Sequence, residues 1–169
     1  MEAYLKSRRV HKVVRRTAAT RPMALLYGVI QEPLDRLVYR VTHGATTLSS
    51  WLADVEIAML TTTGARSGRR RTLPVLALRD GEDMILIASN FGRARNPAWY
   101  YNLRADPCAT IVVDGVAREV VADELDGAER ERAYERGEEI YPGFTRYRRW
   151  AANRRIPVLR ASPRPSRPE

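Results

Sequence analysis

The sequence predicts a single α+β domain in which about six mainly antiparallel strands curl into a small barrel with flanking helices. Three observations favour this fold class. Apolar runs with strand-like alternation recur from residue 55 onward, the connections between them are too short for parallel crossovers, and helical periodicity occurs at both ends and between strands. The length of 169 residues corresponds to one domain with an ordinary core. The count of elements favours this fold without excluding other α+β arrangements.

Residues 1–44 are predicted to form an N-terminal helical arm. Residues 4–17 fit a short amphipathic helix, with Leu5 and three valines on one side and basic residues on the other. A second helix is predicted to begin at Pro33 and to end at Gly44, because the apolar residues between them recur at helical spacing. We therefore place the domain boundary near residue 45.

The first three strands are predicted at residues 55–62, 69–78 and 84–88, as an antiparallel meander. A glycine-rich turn connects the first two strands, and Arg79-Asp80-Gly81 forms a tight turn before the third. Pro74 has no backbone N–H to donate, which indicates an edge or a bulge in the second strand.

The second half of the domain begins with a short helix, for which Asn96 is the predicted N-cap and Pro97 the first residue. The Asp114-Gly115 pair between two apolar runs predicts a hairpin over residues 109–122. A charged helix then opens at Asp126, with Glu129 completing a capping box, and continues to about Ile140.

The final elements are a helix and a strand. Tyr141-Pro142-Gly143 ends the charged helix, and Phe144, Tyr147 and Trp150 recur at helical spacing after it. A last strand at residues 156–160 completes the domain, which spans residues 45–160. Residues 161–169 are rich in proline and arginine and are predicted to be a disordered tail.

The formal net charge of +9 is unevenly distributed. Arginine dominates residues 61–104 and 146–169, whereas residues 114–139 are acidic, which indicates a basic face and an anionic partner. The lone Cys108 and two histidines support neither a disulfide framework nor a metal site. The sequence shows no leader and no apolar run of the ~20 residues that a membrane span needs, so we expect a cytoplasmic protein.

The turn at residues 64–68 is a candidate anion site. Gly64 and Gly68 allow backbone N–H groups to approach a ligand closely, and Arg66 and Arg71 place fixed positive charge beside them. The turn joins two strands, so it is neither a Walker loop nor a dinucleotide fingerprint, both of which use a helix N-terminus. Taken alone, such a pattern is more often a solvated hairpin.

Residues 89–103 have a similar ambiguity. Trp99 and Tyr100 on a short helix are usually core residues, and Asn102 is usually a surface amide. Ser89 stands where a buried strand ends, so its hydroxyl either bonds a bound ring or has a structural role.

Several motifs occur together in a fixed order along the chain. They are Thr61-Thr62-Thr63-Gly64-x-Arg66-Ser67-Gly68-x-x-Arg71-x-x-Pro74, Ala88-Ser89, Asn96-Pro97-x-Trp99-Tyr100-x-Asn102-Leu103-x-Ala105-x-Pro107, Tyr141-Pro142 and Ile156-Pro157-Val158. Over residues 55–160 this joint pattern resembles the deazaflavin-dependent nitroreductase family. The resemblance implies an FMN-binding-like split β-barrel and coenzyme F420, an 8-hydroxy-5-deazaflavin with a phosphate and a polyglutamate tail; FMN is the alternative cofactor. Since a deazaflavin delivers hydride, the protein need supply neither a nucleophile nor a metal.

The resemblance also implies residue roles. The residues expected to hold the phosphate and tail are Arg66, Ser67, Gly68 and Arg71. Those expected to line the ring are Pro74, Val75, Leu76, Ala88, Ser89 and Asn90, and those completing the pocket wall are Asn96, Trp99, Tyr100 and Asn102. For the substrate side, the resemblance implies contact or proton donation by Tyr141, Tyr147 and Ser89, with Phe144 in the pocket.

Three positions depart from the family pattern. Ala65 stands where many members have arginine and Asn90 where some have lysine, so we expect fewer tail contacts, or contacts from Arg69, Arg70, Arg93 or Arg95 instead. Phe144 stands where the nitroreductase that names the family has a tyrosine. Nitro compounds are therefore expected to be poor substrates.

The leading hypothesis is an oxidoreductase that transfers hydride from reduced coenzyme F420 to a small conjugated acceptor such as a quinone. The first alternative is a protein that binds or carries a deazaflavin, a flavin or a tetrapyrrole without turnover, and a basic nucleic-acid-binding protein is less favoured. For residues 4–17, contact with the anionic inner face of a membrane competes with a solvated arm that folds over the domain. The sequence does not specify the oligomeric state.

Overall fold

The computed structural model describes residues 56–151 and 153–164. The strands are β1 Ile57–Thr63, β2 Arg70–Asp80, β3 Asp83–Ile87, β4 Cys108–Val113, β5 Val116–Glu124 and β6 Val158–Pro163. The helices are α1 Ala98–Ala105, α2 Gly127–Ile140 and α3 Gly143–Trp150, and a short 3-10 turn covers Asn90–Gly92. The predicted helices at 4–17 and 33–44, the boundary at 45 and residues 165–169 lie outside the described residues.

The six strands close into a barrel in the order β1-β2-β3-β6-β5-β4, with β4 returning to β1. Every strand pair is antiparallel. The meander β1-β2-β3 and the hairpin β4-β5 follow the predicted order, because their short turns allow only antiparallel neighbours. The predicted fold class is therefore confirmed.

Two apolar clusters position the helices around the barrel. The first fills the barrel interior with strand residues such as Leu60 and Ile111, and α1 adds Trp99, Tyr100 and Leu103 to it. The second lies on the outside of β2, β3 and β6, where α2 and α3 pack. β3 therefore has apolar partners on both faces, which explains its continuous run of buried residues from Met84 to Ile87.

The barrel wall opens where β2 and β3 separate. Pairing between these strands ends at Ala77 and Leu86, whereas β2 from Arg70 to Leu76 pairs with β1. Beyond β3, the backbone N–H of Ala88 donates to Pro157 O at 2.9 Å, so the chain follows the β6 side of the opening. Pro74 lies in the half of β2 that β3 does not reach, which confirms the predicted edge position.

Three local expectations were wrong. Pro97, not Asn96, is the N-cap residue of α1, because the Asn96 oxygen instead accepts a hydrogen bond from Arg154. The Asp126 side chain caps α2 through the N–H of Gly127 rather than through a capping box with Glu129. β6 extends to Pro163, so the tail begins later than residue 161, because Ala161 is fully buried in the barrel interior. None of the helices in the described part of the chain is long and apolar enough to cross a bilayer.

Candidate functional site

The β1–β2 connection folds into a tight turn at residues 64–69. The N–H of Gly64 donates to Arg69 O at 2.9 Å, and the N–H of Gly68 donates to Gly64 O at 2.8 Å. A Cβ on Gly64 would stand 2.7 Å from the Ser67 hydroxyl oxygen and 3.2 Å from Arg69 O, so a larger residue here would displace the serine side chain. Gly68 has a φ of +63°, in the left-handed region that glycine adopts without strain. The turn thus presents backbone with little side-chain cover.

Asn102 holds this turn against α1. Its side-chain oxygen accepts from the Ala65 N–H at 3.0 Å, and its amide nitrogen donates to the hydroxyl of the buried Thr62 at 3.0 Å. The sequence assigned Asn102 to the pocket wall. Both ends of its amide are engaged by the protein itself, and this arrangement fixes the position of the turn.

Three arginines of the turn region have no acidic partner within residues 56–151 and 153–164. They are Arg66, Arg69 and Arg71, and all three are exposed. Other arginines pair with carboxylates: Arg79 binds Glu56 at 2.7 Å and Arg136 binds Asp80 at 2.6 Å. The turn therefore carries positive charge that the described protein does not neutralise, which suits a phosphate or a chain of carboxylates.

Arg70 differs from its neighbours because the protein already uses its guanidinium. It donates to the Thr110 hydroxyl at 2.8 Å, and that hydroxyl donates to Glu119 at 2.8 Å. Arg70 and Arg71 are consecutive residues of β2 and so extend from opposite faces of the strand, and the Arg70 side chain reaches across β1 to β4. It is thus a weaker candidate for a ligand contact than Arg66 or Arg71.

The segment after β3 forms the other edge of the opening. The Ser89 N–H donates to Ile87 O at 2.8 Å, and within the described ranges the Ser89 hydroxyl has no hydrogen-bond partner. The Asn90 amide donates to Arg95 O at 2.8 Å and stabilises the loop. The hydroxyl of Ser89 is therefore available for a ligand, whereas the amide nitrogen of Asn90 is already engaged.

The remaining residues predicted for the ring and the pocket wall lie in several environments. Val75 and Ala88 belong to the barrel core, while Pro74 and Leu76 are half-buried at the opening. Trp99 and Tyr100 are also core residues, and the Tyr100 hydroxyl donates to Glu124 at 2.9 Å. Burial, followed by this contact with Glu124, raises the pKa of Tyr100. Whether these six residues contact a ligand is not shown by the fold, so the contacts of Pro74, Val75, Leu76, Ala88, Trp99 and Tyr100 with a coenzyme stay a prediction.

The three aromatic residues predicted for the substrate side form one cluster. The ring centroids of Tyr141 and Phe144 are 5.5 Å apart, and those of Phe144 and Tyr147 are 6.1 Å apart. Tyr147 also contacts Phe91 of the 3-10 turn, with centroids 5.9 Å apart. This last contact places the cluster beside the segment after β3.

The two tyrosine hydroxyls of the cluster are hydrogen-bonded to each other at 3.3 Å. Tyr147 is buried, whereas Tyr141 is half-buried. Burial, followed by the interaction with Tyr141, raises the pKa of the Tyr147 hydroxyl, so Tyr147 stays protonated at neutral pH. A polar pair is thus held in otherwise apolar surroundings.

One side chain absent from the sequence predictions joins these parts. The Arg154 guanidinium donates to Ser89 O at 2.7 Å, to Arg93 O at 2.8 Å and to the Asn96 side-chain oxygen at 2.6 Å. Asn96 directly precedes the N-cap of α1, and Asn102 lies within that helix. The arginine turn and the segment after β3 are therefore both anchored at α1.

The comparison with protein families gives one decisive match. The family described as F420H(2)-dependent quinone reductase matches residues 34–163. The chain belongs to this family. The match begins at residue 34, so it includes part of the segment predicted as an N-terminal arm.

Individual quinone reductase relatives and solved structures agree with this membership. Rv3178 of Mycobacterium tuberculosis strain H37Rv, provisionally named an F420H(2)-dependent quinone reductase, is 34% identical over 99 residues, which cover 59% of this chain and 82% of the relative. The structure of an F420-H2 dependent reductase, FDR-A, aligns at a TM-score of 0.58 with 32% identity, covering 63% of this chain and 93% of that chain. A structure described as a domain-swapped dimer aligns at a TM-score of 0.60 with 29% identity, covering 75% and 95%. The fold and the family resemblance read from the sequence are thereby confirmed.

Proposed function

We propose that this quinone reductase family member binds coenzyme F420 and uses its reduced form to reduce a quinone-like acceptor. The proposal rests on family membership and on one structural observation. The exposed guanidinium groups of Arg66, Arg69 and Arg71 come from one short stretch of chain, and none of them has a carboxylate partner among the described residues. A coenzyme with a phosphate and a carboxylate tail supplies the anions that these groups lack.

The chain's residues fit such a coenzyme at two places. The guanidinium groups of Arg66 and Arg71 and the hydroxyl of Ser67 would hold the phosphate and tail, because most backbone N–H groups of the 64–69 turn already donate within the protein. The edges of the β2–β3 opening, Pro74 to Leu76 and Ala88 to Asn90, would hold the ring, with the Ser89 hydroxyl available for a hydrogen bond. When bound, the deazaflavin supplies a hydride, so the protein contributes binding, orientation and exclusion of water.

The acceptor side is assigned to the aromatic cluster of Tyr141, Phe144 and Tyr147. Reduction of a quinone to a quinol consumes one hydride and one proton. The half-buried Tyr141 would contact the acceptor oxygen, and its hydrogen bond to Tyr147 would orient its hydroxyl. Phe144 offers no hydroxyl, which favours a planar conjugated carbonyl over a nitro compound.

The deciding experiment is a side-by-side titration of the full-length protein with F420, FMN and FAD, followed by turnover of reduced F420 with a panel of quinones and nitroaromatics. We expect tight binding of F420 alone, and quinone-dependent oxidation of its reduced form. Equal or tighter binding of FMN would contradict the cofactor assignment. Tight F420 binding without turnover of any acceptor would instead favour the carrier alternative.

Residues 4–17 carry a finer proposal, that this basic segment contacts an anionic membrane surface. Its sequence pattern, with apolar and basic sides, supports contact with anionic lipid. Such contact would suit an acceptor that dissolves in lipid. Flotation of the full chain with anionic liposomes should exceed that of a variant lacking residues 1–20, and equal partitioning of the two would remove the proposal.

DNA binding that falls steeply with salt, without coenzyme binding, would support the nucleic-acid alternative.

A further inference from the structure

Arg154 makes a fork of hydrogen bonds that contains no carboxylate. Its three short contacts are to Ser89 O at 2.7 Å, Arg93 O at 2.8 Å and Asn96 Oδ1 at 2.6 Å, and Ala88 O lies at 3.5 Å. All four acceptors are neutral oxygens from one stretch of chain, residues 88–96. Arg154 itself comes from the connection between α3 and β6, so it joins two distant parts of the sequence.

The next residue, Arg155, has a different environment. Arg155 is exposed and pairs with Asp126 at 2.9 Å. Arg154 is half-buried, and this burial lowers its pKa. Placing a cation away from water without a counter-charge costs free energy, which its hydrogen bonds must offset.

The segment that Arg154 holds is conformationally strained. Asn90, Phe91 and Gly92 have φ values of +47°, +55° and +71°, so three consecutive residues are left-handed and two of them are not glycine. The two residues that are not glycine, Asn90 and Phe91, each cost on the order of 1 kcal/mol, and their conformation persists only where the surroundings enforce it. α3 supplies the other constraint, because a Cβ on Gly92 would lie 2.8 Å from Trp150 Cβ.

We propose that Arg154 is a positioning residue: it holds residues 88–96 in the strained shape that receives the deazaflavin ring. This inference rests on the proposed assignment of Ala88 to Asn90 to the ring. Arg154 fixes the backbone oxygen of Ser89 while leaving the Ser89 hydroxyl available. It also binds the side-chain oxygen of Asn96, near the other end of the same segment. Arg154 thus positions the ring edge of the site, which is the segment at residues 88–96. Arg66 and Arg71 belong to the phosphate edge, which is the turn region at the start of β2.

The two edges can be separated by comparing F420 with the phosphate-free 8-hydroxy-5-deazaflavin, which lacks the phosphate and the tail. Arg154→Gln should weaken both ligands by the same factor, about tenfold or more for the loss of several charge-assisted hydrogen bonds. Arg154→Lys keeps the charge without the planar fork, so it should bind both ligands with intermediate affinity. Arg155→Gln is the matched control and should leave both affinities unchanged.

Hydrogen exchange supplies a readout independent of the ligand. Amides of residues 88–96 should exchange faster in Arg154→Gln, and should not change in Arg155→Gln. Wild-type affinity for both deazaflavins in Arg154→Gln would overturn the inference, as would a loss confined to F420. If Arg154→Gln does not fold, the same comparison in Arg154→Lys decides. Failure of the wild-type protein to bind either ligand would instead overturn the proposed function, while hydrogen exchange still tests whether Arg154 fixes the segment.

Discussion

The side-chain oxygen of Asn102 accepts a hydrogen bond from the backbone N–H of Ala65 at 3.0 Å. This contact links α1 to the turn that carries the unpaired arginines, and the same side chain donates to the buried Thr62 hydroxyl at 3.0 Å. The turn is thus pre-organised by a residue that needs no ligand contact of its own. Pre-organisation of this kind raises affinity because the binding free energy is not spent on ordering the loop.

Asn102→Ala should therefore weaken F420 binding by about tenfold, since one hydrogen bond to the turn and one to a buried hydroxyl are lost. Binding of the phosphate-free deazaflavin should change little, because the turn does not contact the ring. Fluorescence titration of both ligands measures the difference. Tyr101→Phe, an exposed neighbour on the same helix, is the control. Equal weakening of both ligands by Asn102→Ala would assign Asn102 to the ring pocket instead.

The double variant Arg66→Ala with Arg71→Ala should lower F420 affinity by about a hundredfold or more, since each guanidinium contributes a charge-assisted hydrogen bond to an anion. Its affinity should also depend less on salt than that of the wild type. The control is the double variant Arg118→Ala with Arg132→Ala, which removes the same number of positive charges from exposed positions outside the turn. Unchanged F420 affinity in the double variant with an intact fold would overturn the site assignment.

The sequence predicted most of the fold because its local signals agree with the tertiary structure. Asp114-Gly115 ends the β4–β5 pairing where the hairpin pattern placed it, with Asp114 and Gly115 both at positive φ. The end of β6 could not be read locally, since Ala161 to Pro163 look like part of a proline-rich tail until β3 and β5 provide partners.

The site was only partly accessible to the same reasoning. Gly64, Gly68 and the arginines are recognisable because a tight turn demands glycine and an anion demands cations. Arg154 gave no signal, since it lies in an arginine-rich stretch where only the three-dimensional contacts distinguish it from Arg155. Asn96 was assigned to a helix cap because a distant guanidinium that takes its side-chain oxygen cannot be seen in the sequence.

Tyr141→Phe should lower kcat/KM for a quinone by about tenfold while F420 affinity stays unchanged, because a hydroxyl that contacts the acceptor acts after coenzyme binding. Tyr147→Phe should have a smaller effect of the same kind, since it removes only the bond that orients Tyr141. The two effects should be non-additive in the double variant, because they act through one hydrogen bond. Steady-state kinetics tests this, and additive effects would show that the two hydroxyls act independently.

Tyr134 allows a test of the packing behind this cluster. Its hydroxyl donates to Phe144 O at 3.0 Å, and the guanidinium carbons of Arg148 and Arg130 lie 4.2 Å and 4.9 Å from its ring centroid. Tyr134→Phe keeps the ring contacts and removes the hydrogen bond, so the free energy of unfolding should fall by about 1 kcal/mol at pH 7. A loss of this size would lower Tm by about 2–4 °C in a chain of this length.

The same variant should alter the response to alkaline pH. Burial raises the pKa of Tyr134 from 10.0 to about 12. Between these values the unfolded chain releases the proton while the folded protein keeps it, so stability falls as the pH rises through this window. Tyr134→Phe should flatten the decline of Tm above pH 10, whereas the exposed Tyr101→Phe should not. An identical decline of Tm above pH 10 in the wild type and Tyr134→Phe would contradict this prediction. It would show that the Tyr134 hydroxyl is hydrated in the folded state, and that α2 packs against α3 less tightly than the hydrogen bond to Phe144 O indicates.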